Sequence, residues 1–239
     1  MPPKQKSNSI AQRKVEAEQL AKKQRKRQII WVSTVAVLLA LIVVVLAIDP
    51  KPAPKVASFD YDKLAVLGSA DAPVKIVEFG DFKCPACKNV NDFLKPKLVS
   101  DYIDQGKVAF YFMNLPFLGP DSNTAALAIQ SVYHLNKDDY WTYFDAIYNN
   151  QGDENTEWAT PEFLVEIAKQ ANLNLDYDQL KKDIVEKTYQ AEVDEQYAKG
   201  DSLGISSTPT FFINGVQYTE NLGDYAKLQQ AIEDASKGE

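Results

Sequence analysis

The sequence of residues 73–89 is PVKIVEFGDFKCPACKN, and its pattern changes from strand-like to helical at the two cysteines. The apolar run at 73–79 is typical of a short buried strand. From Pro85 onward the pattern becomes helical, and Pro96 is expected to kink that helix. A second apolar run at 107–112 predicts another strand, so the segment indicates a βαβ unit with parallel strands. The apolar positions of the intervening helix are Val90, Phe93, Leu94 and Leu98.

Residues 121–200 contain no strand pattern and predict a helical block of roughly 80 residues. Thr160 followed by Pro161 is typical of a helix start, because threonine caps the helix and proline fits its first position. One further helix is expected from about Asp176 to near Gly200.

Strand patterns return at 210–213 and 216–218, separated by Asn214-Gly215. This dipeptide favours a type I′ hairpin turn, which needs positive φ at both positions. A final helix carries an apolar stripe. The predicted order is therefore βαβ, helical block, ββα, an α/β fold whose two halves lie at 58–120 and 201–239. The stripe of the last helix consists of Tyr225, Leu228, Ile232 and Ala235.

Residues 29–48 form an uncharged apolar run long enough to cross a bilayer as one helix. The preceding residues 1–28 contain nine Lys/Arg and two Glu, a formal charge of +7, whereas the whole chain carries −7. The remainder therefore carries −14. The positive-inside rule predicts a basic cytoplasmic arm, a single-pass membrane anchor and an extracytoplasmic folded region.

Two alternatives for this N-terminal segment are a cleaved signal peptide and a nucleic-acid-binding arm. The apolar run exceeds the usual ~7–15 residues of a signal peptide, and no A-x-A-like site follows it. Basic residues beside a membrane span are explained by their role in setting membrane topology and by their attraction to anionic lipid headgroups. The acidic folded region argues against nucleic acid as a partner. Residues 49–57 are proline-rich and predict an extended linker.

Cys84 and Cys87 are the only cysteines and admit three interpretations: a metal site, a structural disulfide or a redox pair. A zinc site needs about four ligands, but the single histidine, His134, lies some fifty residues away in the helical block. We therefore expect no metal, and we interpret His134 as an ordinary helix residue. A disulfide across a loop this short stabilises a fold little.

The redox interpretation agrees with the spacing of the two cysteines. Positions i and i+3 of a helix lie within disulfide-bonding distance, so the bond can form and break without backbone movement. Cys84 is expected at the helix N-terminus, where backbone N–H groups stabilise a thiolate. Pro85 fits the first turn. Cys84 is thus predicted to exchange with partners, and the more shielded Cys87 to resolve the mixed disulfide.

Residues 67–87 (LGSADAPVKIVEFGDFKCPAC) and 204–215 (GISSTPTFFING) together resemble the DsbA-like thiol-disulfide oxidoreductases. Among these the chain is most similar to the membrane-anchored BdbD type of Gram-positive bacteria. The resemblance covers about residues 58–236. It implies a thioredoxin fold interrupted by the helical block at 121–200, and a cis peptide bond between Thr208 and Pro209 beside the cysteines.

The resemblance also implies which residues act and with what. Substrate contacts are expected at Pro85, Ala86, Thr208 and Pro209. The expected activity is the introduction of disulfides into reduced secreted or cell-surface proteins, with reoxidation by a quinone-linked membrane partner and with no bound cofactor.

Glu78 lies six residues before Cys84, where the family has a buried acid under its active site. Strand alternation independently places Glu78 on the apolar side of Val74 and Ile76. Burial there would raise its pKa and let it exchange a proton with the cysteines.

Three expectations concern the residues next to the cysteines. The dipeptide between them is Pro85-Ala86, whereas strongly oxidising members of the family often have Pro-His. A hydrogen-bond donor to the Cys84 thiolate is therefore absent, and we expect the pKa of Cys84 to be less depressed than in those members. Lys83 and Lys88 could favour the thiolate but are interpreted as solvated surface charges.

Two other functions remain open: a reductase or isomerase on the same fold, and a binding module without exchange chemistry.

Overall fold

The structure is a computed structural model that describes residues 5–47 and 56–238. It divides into two units, Met1–Ala53 and Pro54–Glu239. In the first unit, Gln5–Ala47 form helix α1. Among the described residues, no helix has both the length and the apolarity that crossing a membrane requires. The predicted anchor at 29–48 and linker at 49–57 extend outside the described residues, and both stay predictions.

The second unit is built on a five-stranded sheet with the order β1-β3-β2-β4-β5. Strands β2 and β3 are parallel, as predicted for a βαβ unit, and the other neighbouring pairs are antiparallel. The two-residue strand β1 was not predicted because it is too short to show a pattern. The strands are β1 (Val66–Leu67), β2 (Val74–Gly80), β3 (Val108–Asn114), β4 (Thr210–Ile213) and β5 (Val216–Tyr218).

The connection from β2 to β3 is helical but not one regular α-helix. A π-helical turn separates α2 from α3, and the backbone N–H of Lys95 donates to the carbonyl of Val90, five residues earlier. Pro96 follows directly, where its missing N–H and its ring disfavour α-helical bonding. The segments are α2 (Pro85–Asn89), a π-turn (Val90–Leu94), α3 (Lys95–Leu98) and a second π-turn (Val99–Ile103).

Five α-helices fill the chain between β3 and β4, which confirms the predicted helical block. Thr160 caps α6 by accepting the N–H of Phe163 at 3.2 Å, as predicted. The single helix expected over 176–200 was wrong, because Lys187 adopts φ +55° and ends α7 there. The helices are α4 (Pro120–Leu135), α5 (Tyr140–Asn149), α6 (Pro161–Gln170), α7 (Tyr177–Glu186) and α8 (Gln190–Ser202).

The C-terminal half completes the fold as a ββα unit. Asn214 and Gly215 have φ of +47° and +84°, which is the positive pair that a type I′ turn requires. Helix α9 (Tyr225–Lys237) buries its predicted stripe through Leu228 and Ile232. The order of elements is that of the expected thioredoxin fold with a helical insertion.

The apolar core that the helical block shares with the sheet also encloses the cysteines. Its aromatic centre includes Phe82, whose ring centroid lies 4.9 Å from that of Tyr148 and 5.3 Å from that of Phe112. The ring of Phe144 lies 4.9 Å from that of Phe112. The helical block therefore forms part of the wall of the cysteine site.

Candidate functional site

Cys84 and Cys87 lie at the start of α2, where the chain leaves β2. Cys84 is the N-cap residue, with extended backbone angles, and Pro85 occupies the first helical position. Both cysteines are free thiols. Cys84 is 7% exposed and Cys87 only 1%, so Cys84 is the more accessible of the two sulfurs.

The fold brings the second sequence motif directly to Cys84. The Thr208–Pro209 peptide bond is cis, as the resemblance implied. The Sγ atom of Cys84 donates a hydrogen bond to the carbonyl oxygen of Thr208 at 3.4 Å. The hydroxyl of Thr208 is buried and has no partner among the described residues, so it can turn toward the sulfur of Cys84.

The surroundings of Cys84 lower the pKa of its thiol to about 6. The largest cause is a hydrogen bond from the thiol of Cys87 to the Cys84 thiolate, against which burial acts in the opposite direction. The Thr208 hydroxyl and the backbone N–H groups of Cys87 and Ala86 lower the pKa further. The thiolate is thus stabilised although Ala86 has no polar side chain.

The net pKa shifts of Cys87 and Glu78 are opposite to that of Cys84, because burial is the largest influence on both groups. The pKa of the Cys87 thiol is raised well above its usual value, first by desolvation and then by its hydrogen bond to Cys84 and the charge of Glu78. Desolvation raises the pKa of Glu78 well above its usual value, and the charge of Cys84 adds to this. Glu78 is 1% exposed, and its Oε1 atom has no hydrogen-bond partner among the described residues.

A buried lysine in α3 is the nearby cation that opposes this shift. The positive charge of Lys95 lowers the pKa of Glu78, although by less than desolvation raises it. Lys95 is paired with Asp145 of α5, and its Nζ lies 4.8 Å from the ring centroid of Phe144. The sequence showed no sign of this pair, because the two residues are fifty positions apart and both look like surface charges.

Lys83 is not the solvated charge that the sequence suggested. Its side chain is 3% exposed, and its Nζ donates to Asp121 Oδ1 at 2.6 Å and to the carbonyl of Thr156 at 3.0 Å. The other oxygen of Asp121 accepts the N–H groups of Trp158 and Ala159 at 2.9 and 3.2 Å. The ion pair is buried because the helical block covers this side of the cysteines.

Lys88 was also interpreted as a solvated charge, and the structure shows it partly buried. Its Nζ donates to the carbonyl of Tyr148 at 2.6 Å and lies 3.2 Å from Asp92 Oδ2. Neither lysine is a cause of the lowered pKa of Cys84. Both instead link the segment around the cysteines to neighbouring elements.

Residues 81–84, here named the cysteine loop, are held by side chains that the sequence analysis did not identify. The carboxylate of Asp81 accepts the backbone N–H of Lys83 at 2.8 Å and that of Phe117 at 2.9 Å. From the end of α5, Tyr148 and Gln151 donate to loop carbonyls. The bond from Lys83 to Asp81 is local. Each of the other bonds joins residues at least 30 positions apart, so only the tertiary structure reveals them.

A groove of about 550 Å³ runs beside the cysteines. Ala86, Phe93 and Pro209 line it, together with residues 220–223 and Tyr225. Phe93 is 69% exposed, and Pro85 and Ala86 are exposed as well. A large exposed apolar side chain in a groove that also includes Ala86 and Pro209 is suited to contact a polypeptide.

A larger cavity of about 1110 Å³ lies elsewhere, and none of residues 78–88 or 204–209 lines it. His134 of α4 is one of its lining residues; it hydrogen-bonds Glu192 at 2.9 Å and stacks on Tyr189. The lowered pKa of Cys84 makes the cysteine site, rather than this cavity, the candidate functional site. Among the described residues, no group of three or more His, Cys, Asp and Glu side chains is placed to hold a metal ion.

Comparison with known proteins gives consistent matches. A protein-family model described as "Thioredoxin" matches residues 62–234. The disulfide bond formation protein D of Bacillus subtilis is 36% identical over 173 residues, which cover 72% of this chain and 77% of that protein. The probable disulfide bond formation protein D of Bacillus cereus is 39% identical over 177 residues, covering 73% of this chain and 80% of that protein.

Solved structures agree with these matches. The crystal structure of oxidised BdbD from Bacillus subtilis superimposes with a TM-score of 0.72 at 34% identity, covering 77% of this chain and 97% of that chain. A DsbA from Chlamydia trachomatis superimposes with a TM-score of 0.66 at 22% identity, which shows a shared fold.

Proposed function

The chain belongs to the thioredoxin family and, within it, to the disulfide bond formation proteins D, and we therefore propose that Cys84 and Cys87 are its redox pair. The protein is a thiol-disulfide oxidoreductase that introduces disulfides into secreted or cell-surface proteins. The observation that carries the proposal is the opposite effect of the site on the two thiols, since the pKa of Cys84 is lowered and that of Cys87 is raised.

The reaction begins with the Cys84–Cys87 disulfide. A substrate thiolate attacks Sγ of Cys84, the bond to Cys87 breaks, and its electron pair leaves on the sulfur of Cys87. A second substrate thiolate then attacks the substrate sulfur of the mixed disulfide and releases Cys84 as a thiolate. The substrate loses two electrons and two protons, and the oxidoreductase ends as a dithiol.

The two steps place different demands on the two sulfurs. A leaving thiol of low pKa departs faster, so a pKa of about 6 suits Cys84 for release in the second step. Cys87 leaves in the first step into surroundings that favour the neutral thiol, and it must therefore take up a proton. We assign the delivery of this proton to Glu78, which is buried and whose pKa is raised.

We propose that the substrate lies across Pro85, Ala86, Thr208 and Pro209. Once Cys84 is in a disulfide it has no S–H to donate, so the carbonyl of Thr208 becomes available to a backbone N–H of an extended substrate segment. The adjoining groove with Phe93 offers apolar contact to a substrate side chain. Recognition of backbone and apolar surface, rather than of specific charges, suits an enzyme with many unfolded substrates.

We propose that the halves of the thioredoxin fold are residues 58–120 and 201–239, with the helical insertion at 121–200. We further propose that 29–48 is a single-pass anchor, with residues 1–28 in the cytoplasm and the linker 49–57 leading to the extracytoplasmic unit. The support is the charge difference across the apolar run. In addition, the described apolar side chains of the run are exposed, Trp31 by 71%.

Each turnover leaves the pair reduced, so an oxidant must restore the disulfide. We assign this step to a quinone-linked thiol oxidase in the same membrane, because an anchored enzyme is held close to such a partner. The two cysteines carry both electrons themselves, so no bound redox cofactor enters the exchange steps.

The role of the pair is tested with an unfolded, reduced protein substrate that contains two cysteines. The oxidised wild type is expected to form the substrate disulfide, and Cys84→Ser is expected to be inactive. Cys87→Ser is expected to accumulate mixed disulfides with the substrate through Cys84, with Cys84→Ser as the matched control that accumulates none. Substrate oxidation by Cys84→Ser at the wild-type rate would contradict the assignment.

The topology is tested in intact cells with a membrane-impermeant thiol reagent. Cys84 of the Cys87→Ser variant is expected to be labelled. A cysteine introduced at Ser7 into the Cys84→Ser, Cys87→Ser background is expected to be protected until the membrane is opened. Labelling of the Ser7 position in intact cells would contradict the proposed orientation.

A further inference from the structure

The side-chain amide of Gln151 bridges two carbonyl groups of the cysteine loop. Gln151 lies in the helical block, two residues after α5 ends at Asn149. Its Nε2 donates to the carbonyl oxygen of Phe82 at 2.7 Å and to that of Cys84 at 3.1 Å. Both donors of a single NH₂ group are thus used on carbonyls that flank Lys83.

The second of these carbonyls belongs to the helix N-terminus itself. The carbonyl oxygen of Cys84 also accepts the backbone N–H of Lys88 at 3.1 Å, which is the first hydrogen bond of α2. Gln151 therefore fixes the orientation of the peptide unit that joins Cys84 to the helix. Tyr148 supports the start of the loop, where its hydroxyl donates to the carbonyl oxygen of Asp81 at 3.4 Å.

This orientation matters because backbone N–H groups of the first turn stabilise the thiolate. The N–H groups of Ala86 and Cys87 both contribute to the lowered pKa of Cys84. Whether they point at Sγ depends on the direction in which the chain passes from the loop into α2.

We propose that Gln151 is a positioning residue through which the helical block holds the cysteine loop in the geometry that favours the Cys84 thiolate and a more oxidising Cys84–Cys87 disulfide. It acts through the backbone and touches neither the sulfur nor the substrate. Stabilising the thiolate stabilises the dithiol relative to the disulfide, so the pair takes electrons from substrates more readily. This inference rests on the proposed redox role of the pair.

The experiment replaces Gln151 in the folded extracytoplasmic unit within the full chain. Gln151→Met keeps the length and volume of the side chain but removes both donors. Gln151→Glu keeps the shape but turns a donor into an acceptor that faces the carbonyl oxygens. Gln170→Met is the matched control, because Gln170 is an exposed glutamine of the same helical block. Its side-chain amide donates to Glu166, one turn earlier in the same helix, at 3.1 Å.

Two properties of each variant are measured, both of which report on the sulfurs rather than on stability. One is the titration of the Cys84 thiolate by its ultraviolet absorbance. The other is the equilibrium constant with reduced and oxidised glutathione. The equilibrium constant is defined for the reduction of the Cys84–Cys87 disulfide by glutathione. For Gln151→Met we expect the titration midpoint of Cys84 to rise by about one pH unit and this constant to fall about tenfold, which lowers the reduction potential by about 30 mV. Gln151→Glu should move both further in the same direction, and Gln170→Met should move neither.

The inference is overturned if folded Gln151→Met and Gln151→Glu both retain the wild-type midpoint and equilibrium constant. If the substitutions prevent folding, the unaltered protein decides the matter by NMR. The side-chain amide signals of Gln151 must then shift with pH at the same midpoint as the Cys84 thiolate, and signals insensitive to that titration would overturn the proposal. Failure of the redox role itself is recognised separately, because Cys84→Ser would then remain active with Gln151 intact.

Discussion

The Sγ atom of Cys84 donates a hydrogen bond to the carbonyl oxygen of Thr208, 3.4 Å away in space and 124 residues away in sequence. This contact joins the two halves of the fold at the reactive sulfur. It also places the buried hydroxyl of Thr208 beside the thiolate whose pKa it lowers. The chemistry of Cys84 therefore depends on tertiary structure that the chain completes only when β4 has paired with β2.

The alkylation rate of the reduced protein should report the lowered pKa of Cys84. Only the thiolate reacts with iodoacetamide, so the rate should rise with pH, reach half its maximum near pH 6 and then level off. Cys87 should stay unmodified over this range, because its pKa is raised. A half-maximum near pH 9, the usual value for a thiol, would contradict the described site.

The same shift has a defined effect on the stability of the reduced protein. Because the folded-state pKa of Cys84 is depressed, its contribution to stability is fully present above the unfolded value of 9.0 and is lost as the pH falls through about 6.

Replacing Cys87 with alanine removes the largest cause of the lowered pKa of Cys84 and should move the alkylation midpoint of Cys84 upward. Cys87→Ser is the matched control, since a hydroxyl can still donate to the thiolate.

Glu78→Gln should stabilise the protein and slow disulfide exchange. The folded-state pKa of Glu78 is raised, so its favourable contribution is fully present below about pH 4.5 and is lost as the pH rises toward the folded-state pKa. In urea unfolding, the gain from Glu78→Gln should therefore be small at pH 4 and should grow as the pH is raised to 8. Glu186→Gln, at an exposed helix position, is the control. An unchanged exchange rate in Glu78→Gln would exclude the proton-delivery role.

Asp121→Asn should lower the free energy of unfolding by about 3–5 kcal/mol, because it leaves the buried charge of Lys83 without its partner. The asparagine oxygen can still accept the N–H of Trp158, but its NH₂ group then faces the Lys83 ammonium. Chemical denaturation measures the loss. Glu195→Gln, which breaks the exposed pair with Lys63, should change stability little. Equal effects from the two substitutions would show that the Lys83 pair is not buried in solution.

Phe93→Ser should weaken substrate binding without changing the reactivity of Cys84 and Cys87. Phe93 is 69% exposed and lines the groove beside Ala86 and Pro209, so its loss should raise the KM for an unfolded protein substrate about fivefold to tenfold. Exchange with glutathione, which is too small to fill the groove, should be unaffected. Val185→Ser removes a similarly exposed apolar side chain from α7 and should leave both rates unchanged. A normal KM for Phe93→Ser would mean that substrates bind elsewhere.

The elements that could be predicted from the sequence are those whose signal is local. Strand β2, the hairpin at Asn214-Gly215 and the cap at Thr160 each depend on residues that are neighbours in the chain. The position of Cys84 at a helix N-terminus was predictable for the same reason. The break at Lys187 was missed because a non-glycine residue with positive φ leaves no clear mark in the sequence.

The surroundings of the cysteines could not be predicted, because they come from distant parts of the chain. Lys83 looks like a surface residue until the helical block places Asp121 against it. Gln151 has no motif of its own, and only its two bonds to the cysteine loop reveal it. The cis bond before Pro209 was expected only from family resemblance, since X-Pro bonds are mostly trans.

The reduction potential of the Cys84–Cys87 pair is the decisive test of the proposed disulfide-forming role. A thiolate with a pKa of about 6 beside a buried partner thiol favours the dithiol, so equilibration with glutathione should give a potential above about −200 mV, in the range of disulfide-forming enzymes. A potential near the roughly −270 mV of thioredoxin would contradict it and identify the pair as a reductant.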